Sequence, residues 1–230
     1  MPRGVLITRP GPQAMETAQL VAGRGYQPHI APMLVIEPVA WARALPAVQA
    51  VLVTSANALP SLVPCDRQLP VFAVGDASAQ RAGLMGFTRV VSAGRDAQAL
   101  AELVAGLLKP DDGALLLPCA EGQTMALARD LRARGFRVLR RVAYRARPAT
   151  QLSEPIRTAL DGGAISHAMF FSTETALAFV RCISDGATGL DRVEALSISH
   201  RAARVLADLP FACIRVAAHP NQDEMVALLP

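Results

Sequence analysis

The sequence predicts an α/β protein assembled from two copies of one unit, with parallel sheets flanked by helices. Short apolar runs recur along the chain, each followed by a small-residue turn and then by a helical pattern, which is the signature of strand, loop and helix in alternation. The two halves also present the same elements in the same order. With 230 residues, 52% of them hydrophobic and only 18% charged, the chain has the material for a large core.

The strands are expected at Val5-Leu6-Ile7, Val51-Leu52-Val53, Val71-Phe72-Ala73-Val74, Ala114-Leu115-Leu116-Leu117, Met169-Phe170-Phe171 and Ala195-Leu196-Ser197-Ile198. Two helices show a clear period: Ala97, Leu100, Ala101, Val104 and Leu108 form one stripe, and Leu127 and Leu131 share a face in another. The internal repeat aligns Gly25-Tyr26 with Gly135-Phe136, and Thr54-Ser55-Ala56-Asn57-Ala58-Leu59 with Ser172-Thr173-Glu174-Thr175-Ala176-Leu177. It continues with Val74-Gly75-Asp76-Ala77-Ser78-Ala79 against Ile198-Ser199-His200-Arg201-Ala202-Ala203, and Arg89-Val90-Val91-Ser92-Ala93 against Arg215-Val216-Ala217-Ala218-His219. The offset between the halves only grows along the chain, as loop insertions would cause.

Composition excludes several classes. Cys65, Cys119, Cys182 and Cys213 form no CxxC pair and the four histidines show no chelating spacing, so reduced thiols and no structural metal are expected. A net charge of +4 favours an anionic ligand, yet with aromatics at 4% it argues weakly for nucleic acid. After Met1-Pro2-Arg3 the apolar stretch Val5 to Ile7 is too short for a secretory core or a membrane span, so a cytoplasmic protein is expected. Neither GxGxxG nor GxxxxGK[ST] is present, which argues against a nucleotide enzyme.

In parallel α/β sheets ligands bind beyond the carboxyl ends of the strands. Thr54-Ser55-Ala56, Gly75-Asp76 with Ser78, Cys119-Ala120-Glu121-Gly122, Ser172-Thr173 and Ser199-His200-Arg201 are all read as such turns, where small hydroxylated residues leave amides at helix starts open to anions. Helix capping explains Ser55, Ser78 and Ser172 as well, and the two roles can coexist. Arg9, ahead of Pro10, reads either as a contact for a carboxylate or as a solvated side chain. The arginines Arg129, Arg132, Arg134, Arg137, Arg140, Arg141, Arg145 and Arg147 begin on a helix and end on an extended segment, so they are read as a solvated surface. His167, His200 and His219 are read as ordinary polar residues, the last two in turns facing the ligand side.

Read in order, these blocks resemble the uroporphyrinogen-III synthase family along nearly the whole chain. Val5-Leu6-Ile7-Thr8-Arg9-Pro10 looks like its opening strand and turn, Val51-Leu52-Val53-Thr54-Ser55-Ala56-Asn57-Ala58 like its "FTS" segment, and Phe72 to Ala79 like its "VG-x-x-T-A" turn. Val142-Ala143-Tyr144 is similar to its strand ending in tyrosine, Phe170-Phe171-Ser172-Thr173 to its second serine turn, and Ala217-Ala218-His219-Pro220 to its closing segment. No single motif is specific; their order is. Ser199-His200-Arg201-Ala202-Ala203 lacks the family's usual glycine and threonine, and Arg201 would stand in as a carboxylate ligand.

The resemblance implies two flavodoxin-like domains joined by a two-stranded connector, with the ligand cleft between them. The first domain would take residues 1–34 and 147–230, the second 41–143, and the connector 35–40 and 144–146; Pro32, Pro38 and Pro148 suit extended backbone at those crossings. It also implies a monomeric, cofactor-free, metal-free lyase. The enzyme would cyclise hydroxymethylbilane, taken over from hydroxymethylbilane synthase, to uroporphyrinogen III, for haem, sirohaem or cobalamin. Hydroxyl loss would be followed by attack of the last ring, a spiro intermediate and reclosure. Tyr144 matches the family's tyrosine and is the implied proton donor, although a strand tyrosine also packs its ring and bonds locally. A non-catalytic two-lobed ligand-binding or sensor protein is the alternative reading of the same fold.

Overall fold

The structure is a computed structural model that describes residues 3–41, 46–123, 125–183 and 189–230. Met1 and Pro2, read above as the opening of the first domain, lie outside the described residues. The chain forms two compact units, one of Met1–Ile36 with Arg147–Pro230 and one of Glu37–Ala146.

In the first unit the strands β1 (Gly4–Ile7) and β2 (Gln27–Ile30) flank the helix α1 (Pro12–Gly23). β3 (Leu34–Pro38) then crosses into the second unit, which holds β4 (Val48–Val53), a 3-10 helix (Ala56–Leu62), β5 (Val71–Ala73), α2 (Asp76–Leu84), β6 (Val90–Ser92), α3 (Ala97–Leu107), β7 (Ala114–Ala120) and α4 (Ala126–Ala133). The long strand β8 (Val138–Pro148) leads back to α5 (Glu154–Asp161), β9 (Ile165–Phe170), α6 (Thr173–Ile183), β10 (Glu194–Ser197), α7 (His200–Leu206), β11 (Cys213–Val216) and α8 (Gln222–Ala227).

The first sheet has the order β11-β10-β9-β1-β2 with every pair parallel. The second has the order β3-β8-β7-β4-β5-β6, and β4 to β8 pair parallel throughout. The repeat found in the sequence makes β1 and β2 equivalent to β7 and β8, and β4, β5 and β6 equivalent to β9, β10 and β11. Both sheets therefore share one arrangement, and each is completed by exchange: strands from the start of one repeat pair with strands from the end of the other.

Central strands are apolar on both faces because helices cover both. In the first unit Leu6, Ala168 and Phe170 face one core, where Phe170 meets Phe179 edge-on at 5.1 Å, and Val5, Ile7 and Met169 face the other. In the second unit Leu52, Leu115 and Leu117 pack with Leu100, Val104, Leu127 and Leu131, while Val51, Val53 and Leu116 form the opposite layer. The predicted stripe on α3 is buried at Leu100, Ala101 and Val104, while Leu108 is half-buried and Ala97 exposed, with Ala99 buried in its place; Asp96 caps that helix by accepting the Ala99 amide at 2.9 Å. After β4 the expected helical turn is a 3-10 helix, consistent with Pro60 removing an amide from its middle. All four cysteines are free thiols. No helix among the described residues is long and apolar enough to cross a membrane.

Two positions on the first sheet carry predictions. A side chain at Gly4 would collide with the Ala164 carbonyl and press on the His29 ring, so the strand can approach only without a Cβ. Gly4→Ala should lower stability by about 2 kcal/mol or more in chemical denaturation, as overpacking against backbone does. His167, 2% exposed, sets Nδ1 2.8 Å from Ser166 Oγ and lies edge-on to Tyr26, with Nε2 4.0 Å from the Glu194 carboxylate. Burial pushes its pKa below the ordinary 6.5, Glu194 opposes that, and Arg3 and Arg215 reinforce it. The unfolded chain then binds more protons than the native one as pH falls below that value, so stability drops there. His29 is shifted the same way by burial. Denaturation midpoints measured across this range should therefore fall with pH, and His167→Gln should flatten the slope in part.

Candidate functional site

Because β4 to β8 run parallel, their carboxyl ends share one edge of the second unit, and most of the predicted turns gather there. Thr54 follows β4, and Ser55 caps the 3-10 helix that starts at Ala56, accepting the Asn57 amide at 3.3 Å. Gly75 precedes α2 in extended conformation without a side-chain cap; exposed Asp76 opens that helix and half-buried Ser78 lies in its first turn. One residue that no motif singled out ties this edge together. Gln123 accepts the Ala120 amide on Oε1 at 3.0 Å, donates from Nε2 to Thr54 Oγ1 at 3.3 Å, and takes Arg140 Nη2 on its carbonyl at 2.8 Å.

Cys119 does not belong to the turn. β7 runs on through Ala120, and Cys119 pairs with Val142 inside the strand, 2% exposed, its thiol directed at the Arg141 carbonyl. A buried thiol held within a sheet is packing rather than a ligand contact. The turn proper is Glu121 and Gly122, both exposed, with Gly122 at φ +73, a left-handed conformation that suits glycine.

The register of β7 on β8 shifts where β7 ends: Cys119 lies opposite Val142, yet Ala120 lies opposite Tyr144. Ala143 is the extra residue of a β-bulge, so Ala143 and Tyr144 are buried in succession instead of alternating. The bulge is pinned on both edges. Glu121 donates its amide to the Tyr144 carbonyl at 3.0 Å, and on the other side the Val39 amide reaches the Ala143 carbonyl and Trp41 Nε1 the Val142 carbonyl at 2.8 Å. The Tyr144 ring is packed, while its hydroxyl has no hydrogen-bond partner among the described residues. Arg145 next to it forms an exposed pair with Glu121 at 3.0 Å.

The carboxyl edge of the first sheet is built differently. Arg9 follows β1; its Nη1 reaches Gln222 Oε1 at 2.7 Å and Thr17 Oγ1 at 3.2 Å, and its guanidinium stacks 4.3 Å above the Phe171 ring. Arg9 is thus anchored by α1, α8 and the turn after β9, the last two far away in sequence. Ser172 caps α6 by accepting the Thr175 amide at 3.0 Å, and its hydroxyl donates a hydrogen bond to Thr175 Oγ1 at 3.2 Å, with Thr173 opening the helix. Ser199 caps α7 through the Ala202 amide, and His200 and Arg201 stand exposed in its first turn. Ser55 and Ser199 act only as acceptors in their caps, which leaves the O–H of each available as a donor.

Each edge on its own brings together helix starts, serine hydroxyls and arginines on a parallel sheet, groups of the kind that suit an anion. Among the described residues no cluster of His, Cys, Asp or Glu has the make-up of a metal site.

The family model for uroporphyrinogen-III synthase HemD matches residues 15–227. Among solved structures, the uroporphyrinogen-III synthetase of Helicobacter pylori 26695 superposes with a TM-score of 0.67 at 18% identity, covering 99% of this chain and 98% of that one. A mutant uroporphyrinogen III synthase from the extremely thermophilic bacterium Thermus thermophilus follows with a TM-score of 0.52 at 16% identity, covering 98% and 96%. No curated protein sequence matches the chain. At these identities the structures speak for the fold, the match of the family model over nearly the whole length speaks for descent, and the chain belongs to the uroporphyrinogen-III synthase family.

Proposed function

We propose that this protein closes hydroxymethylbilane to uroporphyrinogen III with inversion of the last pyrrole ring, and that Tyr144 donates the proton that starts the reaction. Membership of the family makes the chain a cyclising lyase of tetrapyrrole biosynthesis with a small-molecule substrate. The observation that carries the role of Tyr144 is its packed ring at the Ala143 bulge, with a phenol that has no hydrogen-bond partner among the described residues.

The chemistry asks little of the protein beyond this. The phenol gives its proton to the departing hydroxyl, which leaves as water, and the electron-rich pyrrole stabilises the cation left on the methylene carbon. The last ring attacks through its substituted carbon to give the spiro intermediate; one bond of that intermediate then breaks, the ring recloses the other way round, and the final proton loss restores the phenol. Folding the bilane so that this closure outruns the unrearranged one is positional work. Carboxylates of the bilane are suited to the α2 start at Gly75, the hydroxyls of Ser55 and Ser199, and Arg9 and Arg201. The same reading has the chain act as a monomer that takes the labile bilane from hydroxymethylbilane synthase.

Purified protein given freshly made hydroxymethylbilane should yield uroporphyrinogen isomer III, measured by chromatography after oxidation. Isomer I alone, at the spontaneous rate, would rule the function out and leave a ligand-binding protein. Tyr144→Phe, which keeps the packed ring, should lower kcat by roughly 10²- to 10⁴-fold, the range of a general acid, with its melting temperature unchanged. Unchanged turnover in that variant would return Tyr144 to a packing role.

A further inference from the structure

We infer that Arg140 is a carboxylate-binding residue on the carboxyl edge of the second unit, held in position by Gln123 and set to receive an acidic side chain of the substrate; this rests on the function proposed above. The arginine-rich stretch that reads as one solvated surface is divided by the structure. Arg132 donates to the Val138 carbonyl at 2.8 Å, Arg134 pairs with Asp130 at 2.9 Å, Arg145 pairs with Glu121, and Arg129, Arg137 and Arg141 are exposed.

Arg140 differs from all of these. It is half-buried, one Nη2 hydrogen reaches the Gln123 carbonyl, and its Nε is enclosed with no hydrogen-bond partner among the described residues. No carboxylate among the described residues pairs with it. A guanidinium offers five N–H donors in a rigid fork, and leaving one buried without an acceptor is costly unless a ligand completes it. An anion with two oxygens is the natural complement, since the fork matches a carboxylate in a bidentate pair.

Placement makes the ligand the substrate. The residue that holds Arg140 also holds Ala120 at the end of β7 and Thr54 at the end of β4, so the guanidinium is tied to the edge where the turns converge. Four residues further along β8 stands Tyr144. Arg140 therefore binds and orients, and takes no part in proton transfer.

The experiment compares Arg140→Gln and Arg140→Lys with the wild type. Arg140→Gln keeps a donor for the Gln123 carbonyl and loses the charge; Arg140→Lys keeps the charge. Arg140→Gln should raise KM for hydroxymethylbilane about tenfold or more, the scale of a lost charge-assisted pair, with kcat and melting temperature little changed. Arg140→Lys should recover most of the loss. Titration with uroporphyrin III, the stable oxidised macrocycle, should show the same loss of affinity in Arg140→Gln and a weaker dependence on salt. KM and uroporphyrin affinity within about twofold of wild type would overturn the assignment, as would equal losses in both variants accompanied by a lower melting temperature. Because the titration needs no turnover, a wild-type chain that makes isomer III while Arg140→Gln binds normally sinks Arg140 alone. A chain that binds through Arg140 without making isomer III sinks the proposed function alone.

Discussion

Pairing of β1 with β9, and of β4 with β7, is the constraint on which the rest of the molecule hangs. In each sheet that seam joins a strand from the start of one repeat to a strand from the end of the other, and in each it is the most deeply buried line of backbone, with Val5, Leu6, Ile7, Val51, Leu52 and Val53 fully enclosed. A backbone so enclosed has to satisfy its amides and carbonyls by ladder pairing alone. The helices on both faces then follow from the apolar side chains they must cover. Parallel pairing across the seam also brings the strand ends level, which is why turns separated by more than a hundred residues in sequence lie along one edge.

The two edges solve one problem with different materials. On the first sheet a cation is fixed by an aromatic face and two neutral oxygen acceptors, and the serines take up the amides of their own helices. On the second, a single glutamine spans three strands through its side chain and its carbonyl, and a bulge turns a tyrosine inward. Most polar groups on these edges satisfy one another, which rigidifies the turns. Among the described residues the Tyr144 hydroxyl and the Arg140 Nε have no such partner, and both lie on β8, whose register against β7 shifts just before Tyr144.

How far the sequence could be read follows from the range of the interactions concerned. Strand cores and helix stripes are local patterns, and so Val5 to Ile7 or Ala97 to Val104 announced themselves. The repeat was legible too, because Gly25 and Gly135 mark the same turn in each copy. Cys119 misled because the point at which β7 yields to a turn is set by pairing with β8, and that bulge leaves no local trace. Gln123 and Arg140 escaped for the same reason. An amide side chain between Gly122 and Thr124 carries no motif, and one arginine among eight differs from its neighbours only through contacts at the far side of a loop. Arg9 was visible as a polar residue after a strand, whereas its partner Gln222 is 213 residues away.

The exchange of strands also sets an order of events during synthesis. The second unit is one continuous stretch and has all of its strands once β8 has been made, about two thirds of the way along the chain. The first unit at that moment owns only β1, α1, β2 and the start of β3, and the open edge of β1 has to wait for β9. At ribosomal speeds of about 5–20 residues per second, that apolar edge stays unpartnered for on the order of ten seconds. A nascent chain of this design therefore carries a finished unit behind an unfinished one, and its exposure to chaperones and to neighbouring nascent chains is concentrated in its first thirty residues or so.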